Sequence, residues 1–532
     1  MTEEIEKQSS LTAQAAWILI AKVISFALAI GVPLLLARRL DQTEFGLYKQ
    51  VFLIIMTANA ILPFGFGMSA YYFLPRETEK RDAVVLNILI FNALVGFLAA
   101  AILFLFPNSL SLLFGDAVMA AFAPALGLAI ALWIFSTFLE ILVIANGEAR
   151  LAMVFIVFAQ FSKAVFFLGA AALFGTVESL IWAAIVQASL QTIVLFYYVR
   201  SRFPRFLRVF DFGLLKKQFT YTLPFGLSGW LNTGQTDSHN YFVSRRFSPA
   251  DFAVYSVGCF ELPLVGILSE SIGAVLIPLM SRLSATQDRR EIIETSARVT
   301  RKLSLVYFPL FAFLFVTADT FIVTLFTANY AASVPIFRLN LLLLPFAIFA
   351  FDPITRAYQE IGYYLLKVRL ALFVVMLGAL WYVTANYGLL EIVGVVVVMT
   401  LVERSFAAYK VMRTVGFKRK DLNLFDGTLK AGAATVFAST ALLIFYSLTA
   451  ESLKTFFMTT LNALGMPILV DLIGGGLYLA VCGVIFLAIY LALINFLDII
   501  EPDEKQKLTN LVTRLFRFGK NAPIKTSASA EI

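Results

Sequence analysis

Residues 37–48 read Ala-Arg-Arg-Leu-Asp-Gln-Thr-Glu-Phe-Gly-Leu-Tyr, and residues 244–255 read Ser-Arg-Arg-Phe-Ser-Pro-Ala-Asp-Phe-Ala-Val-Tyr. The same polar turn therefore occurs twice between long apolar stretches, with two arginines, an acidic residue, a phenylalanine and a tyrosine at one constant offset. Such an internal repeat predicts two related halves. In membrane transporters built from repeats, the substrate site lies where the repeats meet, so this pattern favours a transporter.

The composition places the chain in a membrane. Hydrophobic residues make up 60% of the 532 residues and charged residues 14%. A soluble globule of this composition would leave a large apolar surface in water. We predict an all-α polytopic membrane protein with about 14 transmembrane helices, each a run of roughly 20 apolar residues. The runs lie near residues 14–36, 49–73, 85–106, 118–146, 151–174, 178–199, 218–243, 251–280, 303–327, 332–355, 367–385, 389–409, 430–449 and 473–498.

The basic residues give the predicted orientation. The net charge is +8, and most lysines and arginines lie in both tails and in every second loop. Because cytoplasmic loops carry the excess of lysine and arginine, both termini are predicted to be cytoplasmic. The charge is thus explained by the membrane, and no nucleic-acid partner is predicted. The two Arg-Arg turns are exceptions on the outer side, where they either snorkel and cap turns or bind anionic head groups.

Several classes of catalytic site are excluded by the residue inventory. The chain has two cysteines, both in apolar segments, and one histidine, so cysteine-pair and histidine-based zinc sites are not expected. It also has no Gly-x-x-x-x-Gly-Lys sequence for binding nucleotide phosphates. We therefore predict no metal, no cofactor and no enzymatic activity.

The repeat predicts the domain organisation. A six-helix lobe occupies residues 1–200, a basic cytoplasmic linker 201–217, a second six-helix lobe 218–413, an additional helix pair 414–500, and an amphipathic helix with a tail 501–532. The linker contains Asp211-Phe212-Gly213, which is expected to break any continuous helix. A weaker echo relates Asn146-Gly147-Glu148 to residues 358–362 after the tenth span, where a six-plus-six repeat requires it.

With these features the chain resembles the polysaccharide flippases of the multidrug/oligosaccharidyl-lipid/polysaccharide exporter superfamily. The resemblance covers about residues 10–500 and is specific in architecture but loose in motif. It implies a bacterial inner-membrane protein that moves a polyprenyl-diphosphate-linked oligosaccharide outward by alternating access. Its implied partners are that lipid-linked sugar, membrane lipids and polysaccharide assembly proteins. In this family the first, second, seventh and eighth helices line a central cavity.

The seventh span contains the densest cluster of polar residues in any span, residues 232–240. Polar groups in a membrane are costly unless they face a cavity or a partner. Asn232, Gln235, Asp237 and His239 cannot share one helix face, so the stretch is expected either to rim an aqueous cavity or to be locally unwound. Asp237 and His239 are candidates for ion coupling, and the alternative is a structural pair with Lys22, Lys163 or another buried base.

Other candidates follow from charge and from the resemblance. Glu261 and Glu270 lie in the eighth span and are further ion-coupling candidates. Lys22, in the first span, is a candidate for binding the diphosphate, because a buried cation would select an anionic head group. The remaining substrate-binding candidates are Asn232, Gln235, Arg38, Arg39, Arg245 and Arg246. Pro63, with Gly65 and Gly67, is the clearest candidate for a hinge.

Two other functional classes stay open. A cation-coupled drug exporter of the MATE type would share the two-lobe plan and use an acidic residue for coupling. A membrane glycosyltransferase or ligase would need a large outer loop to hold its acceptor, and the longest outer loop is predicted at about residues 450–472.

Overall fold

A computed structural model describes residue 25, residues 27–463 and residues 470–499, and in that part of the chain the secondary structure is helical, with no β-strand. The first half contains α1 (27–39), α2 (Gln42–Ile61), α3 (Ser69–Phe73), α4 (Arg81–Leu105), α5 (Asn108–Phe114), α6 (Val118–Ala145), α7 (Ala149–Leu173) and α8 (Val177–Arg202). The second half contains α9 (Phe212–Arg246), α10 (Pro249–Gly258), α11 (Pro263–Ala285), α12 (Arg289–Val316), α13 (Ala318–Phe326), α14 (Val334–Leu341), α15 (Asp352–Ala357), α16 (Gln359–Asn386), α17 (Leu389–Val415), α18 (Asp426–Ala463) and α19 (Val470–Phe496).

The prediction of an all-α, multi-pass membrane protein is confirmed. Among the described residues, ten helical segments are long and apolar enough to cross a membrane, or eleven if the bent pair α2–α3 is one span. The count of fourteen stays a prediction. The predicted amphipathic helix near the C-terminus and most of the first span lie outside the described residues.

Several predicted spans are divided in the structure. The second span, 49–73, bends by 45° between α2 and the segment Phe66–Phe73. The break follows Pro63, where Phe64 and Gly65 take positive φ angles of 52° and 64°, so the kink lies where the proline and glycines predict it. The eighth span, predicted as one helix over 251–280, is instead α10 and α11, separated at Cys259–Leu262 before Pro263.

The two following spans are divided as well. The ninth predicted span, 303–327, consists of the end of α12, which stops at Val316, and of α13. The tenth, 332–355, contains α14, a short 3₁₀ turn at Pro345–Ile348 and the start of α15. A proline occupies one of the first two positions of α14, of this 3₁₀ turn and of α15. At those positions the missing N–H costs no helical hydrogen bond.

Two predicted loops are partly helical. Helix is interrupted between Arg202 and Phe212, as predicted, but α9 starts inside the predicted linker, where Asp211 caps it: its carboxylate accepts a hydrogen bond from the Leu214 N–H at 2.9 Å. A hydrogen bond from Lys80 to Asp211 holds the pKa of this carboxyl below its ordinary value. Part of the predicted outer loop 450–472 is helical as well, since α18 continues through Ala463.

The described chain divides into two compact units. The first contains the described residues up to Ala274 together with Ala318–Leu343 and Gln359–Lys410, and the second contains Val275–Thr317, Leu344–Tyr358 and the described residues from Val411 onward. In the second unit, α12, α18 and α19 pack around small and aromatic side chains that include Ala431, Ala434, Tyr478 and Phe486. The division into lobes at 1–200 and 218–413 stays a prediction.

In the first unit the two copies of the repeated turn pack against each other. A Cβ atom added to Gly46 of α2 would lie 1.8 Å from the carbonyl oxygen of Pro249, at the start of α10. The repeated phenylalanines are both buried, Phe45 fully and Phe252 to 2% exposure. Only glycine therefore permits the observed approach of α2 to α10.

The weaker echo also has a structural counterpart. Glu148, before α7, binds Arg202 at the end of α8, with 3.0 Å between Oε1 and Nε. Glu360, at the start of α16, lies 3.7 Å from the ammonium of Lys410 in α17. In each half, an acidic residue near the start of one helix (α7 or α16) thus faces a cation of the next helix (α8 or α17).

Replacing Gly46 with alanine is expected to destabilise the protein by about 1–3 kcal/mol, because the added methyl group overlaps backbone atoms of Pro249. The measurement is the thermal unfolding midpoint of the purified full-length protein in detergent. Gly378→Ala in α16 is the matched control, since an added Cβ there meets no atom within 4 Å. Equal midpoints for the two variants would contradict the close approach.

Candidate functional site

The polar stretch 232–240 lies on an uninterrupted helix. α9 runs for 35 residues from Phe212 to Arg246 and contains Pro224 without ending there. Local unwinding, one of the two alternatives, is therefore not what the structure shows. The helix distributes its polar side chains among several neighbours, because successive residues turn by ~100° about its axis.

Asp237 faces α2. Its Oδ2 atom accepts a hydrogen bond from the Thr57 hydroxyl at 3.0 Å, and its Oδ1 atom accepts one from Thr236 at 3.2 Å. The alternative partner Lys163 lies over the rings of Trp133 and Phe167, with its Nζ 5.1 and 5.6 Å from their centroids. Asp237 is thus held between α9 and α2 by hydroxyl groups.

His239 faces α10. Its Nδ1 atom and the hydroxyl oxygen of Tyr255 are 2.8 Å apart and share a hydrogen bond. His239 is 8% exposed and Tyr255 is fully buried. Tyr255 is the last residue of the second repeated turn, so the repeat supplies the partner of the only histidine in the chain.

Asn232 and Gln235 lie on other sides of the same helix. Asn232 is exposed, and the amide nitrogen of Gln235 is 3.5 Å from the carbonyl oxygen of Arg369 in α16. One residue earlier, Gly234 is close to the ring of Phe373, also in α16. The four candidates of this stretch are therefore not gathered into one cluster: three face α2, α10 and α16, and the fourth is exposed.

The two repeated arginine pairs differ in their contacts. Arg38 donates a hydrogen bond to the carbonyl oxygen of Thr324 near the end of α13, and Arg39 donates one to Ala172 near the end of α7 at 3.0 Å. Cations at helix C-termini stabilise the last carbonyl groups. Arg245 and Arg246 are exposed, and within the described part of the chain their side chains have no hydrogen bond or ion pair.

Three candidates remain: Lys22, Glu261 and Glu270. Lys22 is outside the described residues. Glu261 lies in the break between α10 and α11 and is exposed, and Glu270 is an exposed residue two turns into α11. No group of three histidine, cysteine or acidic side chains in the described residues could hold a metal ion.

A buried polar cluster joins α9 to α3 and α4 and was not predicted. Gln218 accepts a hydrogen bond from the Asn87 amide at 3.0 Å and donates one to the Ser69 hydroxyl at 3.2 Å. All three side chains are fully buried. The sequence signal was a polar residue inside each of three apolar stretches, but only the fold shows that the three meet. Thr57 was missed for the same reason.

The sequence matches a known protein family. The sequence model of the family described as "Polysaccharide biosynthesis protein" matches residues 35–335, a range that contains both repeated turns. The chain belongs to this family. A comparison of its sequence with curated proteins finds no match.

Several solved structures of membrane transporters have the same fold as this chain. The lipid II flippase MurJ in an inward closed conformation superposes with a TM-score of 0.67 at 14% identity, covering 91% of this chain and 99% of that one. An inward-facing multidrug resistance MATE transporter of the MOP superfamily gives 0.59 at 16% identity, covering 74% and 96%. A MOP-superfamily transporter from Pyrococcus furiosus gives 0.53 at 14% identity, covering 76% and 95%. The chain therefore has a fold of membrane transporters rather than one of enzymes.

Replacing Tyr255 with phenylalanine is expected to lower stability by about 1–3 kcal/mol, because it leaves a buried nitrogen of His239 without its partner. The thermal unfolding midpoint is the measurement, with Tyr197→Phe as the control because Tyr197 is 78% exposed. In the Tyr255→Phe background, His239→Phe should cost less than it does in the native chain. Equal costs in both backgrounds would mean that the two side chains are not coupled.

Proposed function

We propose that this protein flips a polyprenyl-diphosphate-linked oligosaccharide across the bacterial inner membrane by alternating access, for cell-surface polysaccharide biosynthesis. The observation that carries the proposal is the family match over both repeated turns, on a chain with the fold of a lipid II flippase. Both termini would lie in the cytoplasm, as the lysine and arginine bias of the loops requires.

The repeat supports alternating access. Two related halves can move against each other about a fixed membrane site. The contact of Gly46 with Pro249 joins the two copies of the turn, which lie on the outer side in the predicted orientation. We infer that α2 and α10 meet there while the site is open to the cytoplasm, and separate to release the substrate outside.

Asp237 is our proposed ion-coupling residue, with His239 as its neighbour on the next face of α9. Its carboxylate accepts hydrogen bonds from Thr57 on α2 and from Thr236, and a charged acceptor makes a hydrogen bond of about 1.5–3 kcal/mol. Protonation removes that charge and weakens the link between α9 and α2. Because these helices belong to the two related halves, the link is a physical route from proton binding to movement of the halves.

Arg245 and Arg246 are the arginines best suited to bind the diphosphate. Guanidinium groups bind phosphate oxygens through paired N–H donors. Arg38 and Arg39 already donate to carbonyl groups of α13 and α7, whereas the second pair is exposed. We therefore assign the first pair to holding helix ends and the second to the head group on the outer side.

The coupled reaction can be measured in proteoliposomes. The probe is a fluorescent polyprenyl-diphosphate oligosaccharide, and the reading is its transbilayer movement with and without a pH gradient. Asp237→Asn is expected to reduce gradient-driven movement on the order of tenfold, which corresponds to the loss of one charged hydrogen bond. Thr57→Val should reduce it by a similar factor, because it removes the same hydrogen bond between α9 and α2.

Each contrary result has a definite meaning. Protein-dependent movement that is unchanged by the gradient and by Asp237→Asn would contradict ion coupling but would still support flippase activity. Absence of movement for every lipid-linked sugar, together with gradient-driven efflux of an organic cation, would favour a drug exporter, which has a related fold.

The two arginine pairs should differ in the same assay. Arg245→Gln with Arg246→Gln is expected to raise the half-saturating concentration of the lipid-linked sugar by on the order of tenfold, with little change in stability. Arg38→Gln with Arg39→Gln should instead lower the unfolding midpoint, since two helix ends lose charged donors. The assignment is wrong if both double variants change the same quantity.

A further inference from the structure

A groove between α7 and α8 has no part in the proposed transport. Its volume is about 470 Å³, within the ~300–1,000 Å³ common for sites that bind small molecules. Most of its lining is apolar and comes from Leu151 and Phe155 of α7 and from Ile193, Val194 and Tyr197 of α8. Ile193 is 66% exposed and Tyr197 is 78% exposed, so the groove opens on the side of these helices.

One end of the groove is polar and firmly built. Arg202 lines it and binds Glu148 through two contacts, Nε to Oε1 at 3.0 Å and Nη2 to Oε2 at 3.1 Å. Tyr198, which is 3% exposed, donates to Glu148 at 3.2 Å and accepts from Asn146 at 2.8 Å. Asn146 also donates to the same oxygen of Glu148 at 2.6 Å, so Oε1 is held by two neighbours and the carboxylate in turn orients Arg202.

Further basic residues lie near this end in the sequence. Arg150 is the second residue of α7, just before Leu151; Arg200 is in the last turn of α8, and Arg205 and Arg208 follow within six residues of its end. All four are exposed, and their side chains have no hydrogen bond or ion pair within the described part of the chain. Glu148 offsets the charge of Arg202, and Asp82, which accepts a hydrogen bond from the backbone N–H of Arg205 at 3.1 Å, offsets part of the remainder. The polar end of the groove therefore has a local excess of positive charge.

We infer that this groove binds one anionic phospholipid of the cytoplasmic leaflet. An acyl chain would occupy the apolar part between α7 and α8, and the phosphate would lie among Arg150, Arg200 and Arg202. Acyl chains of the bilayer are already out of water, so the groove would contribute van der Waals packing and the arginines would contribute the selectivity. Basic pockets between transmembrane helices on the cytoplasmic side bind anionic head groups. The assignment to the cytoplasmic leaflet rests on the proposed orientation of the protein. The fit of an anionic phospholipid to an apolar groove with a cationic end does not depend on that orientation.

The charge distinguishes this occupant from others. A zwitterionic phospholipid would fill the apolar part equally well but would gain little from the exposed arginines Arg150, Arg200 and Arg208. A polyprenyl tail could also fill the apolar part, but if its diphosphate lay at the transport site, the arginines at the end of the groove would have no anionic partner. An anionic phospholipid uses both features at once.

Photolabelling of the full-length protein in nanodiscs tests the inference. The probes are phosphatidylglycerol and phosphatidylcholine with the same diazirine-bearing acyl chain, and labelled peptides are mapped by mass spectrometry. Phosphatidylglycerol should label residues 151–155 and 193–202 several-fold more than phosphatidylcholine. Raised salt should reduce that preference, because exposed charges are screened.

Two pairs of variants separate shape from charge. Leu151→Trp fills the groove and should abolish labelling there, whereas Val154→Trp, at a 50% exposed position of α7 outside the groove, should not. Arg150→Gln with Arg200→Gln should lower the phosphatidylglycerol preference on the order of fivefold for each arginine removed. Arg419→Gln with Lys420→Gln removes the same charge from another exposed segment and should leave it unchanged.

Three results would overturn the inference. One is equal labelling by the two phospholipids. Another is an equal effect of the two charge-removing pairs. The third is displacement of phosphatidylglycerol by an equimolar polyprenyl phosphate, which would make the groove a site for the prenyl chain. The charge variants preserve the Glu148–Arg202 pair, so they remain informative if Leu151→Trp fails to fold. None of these measurements depends on transport.

Discussion

The close approach of α2 to α10 is the constraint on which the first unit depends. It places the two copies of one polar turn against each other and leaves no space for a side chain at Gly46, where an added Cβ would lie 1.8 Å from the Pro249 carbonyl oxygen. Buried aromatic residues of both copies pack around the contact. Because the helices start from this point, α2 is brought alongside α9, and Thr57 meets Asp237.

Polar side chains within these apolar helices are arranged by a second constraint. A polar group in lipid needs a partner or water, and unpaired groups cost several kcal/mol. α9 meets this requirement by directing Asp237 to α2, His239 to α10 and Gln235 to α16. One helix is thereby linked to three neighbours through directional hydrogen bonds, and two of those bonds, at Asp237 and His239, involve groups that can gain or lose a proton.

The two halves use the same residues differently. Arg38 and Arg39 bind carbonyl groups at the ends of two helices, while Arg245 and Arg246 remain exposed. An ancestral repeat gives both halves the same chemistry, but the surroundings decide whether a guanidinium is already occupied. The arginines around the groove of α7 and α8 show the same division, since Arg202 is paired with Glu148 and its neighbours are not.

The sequence by itself determined the membrane class, the helical fold and the repeat, because these follow from the length of apolar runs and from a motif that occurs twice. It also located the kink at Pro63, whose missing N–H acts locally. It did not show that the span 251–280 is broken, that α9 starts at Phe212, or that Ser69, Asn87 and Gln218 share one cluster. Those outcomes depend on contacts between residues far apart in the chain. Tertiary structure alone decides which polar groups meet, because a side chain's partner in a membrane is set by the helix packed against it.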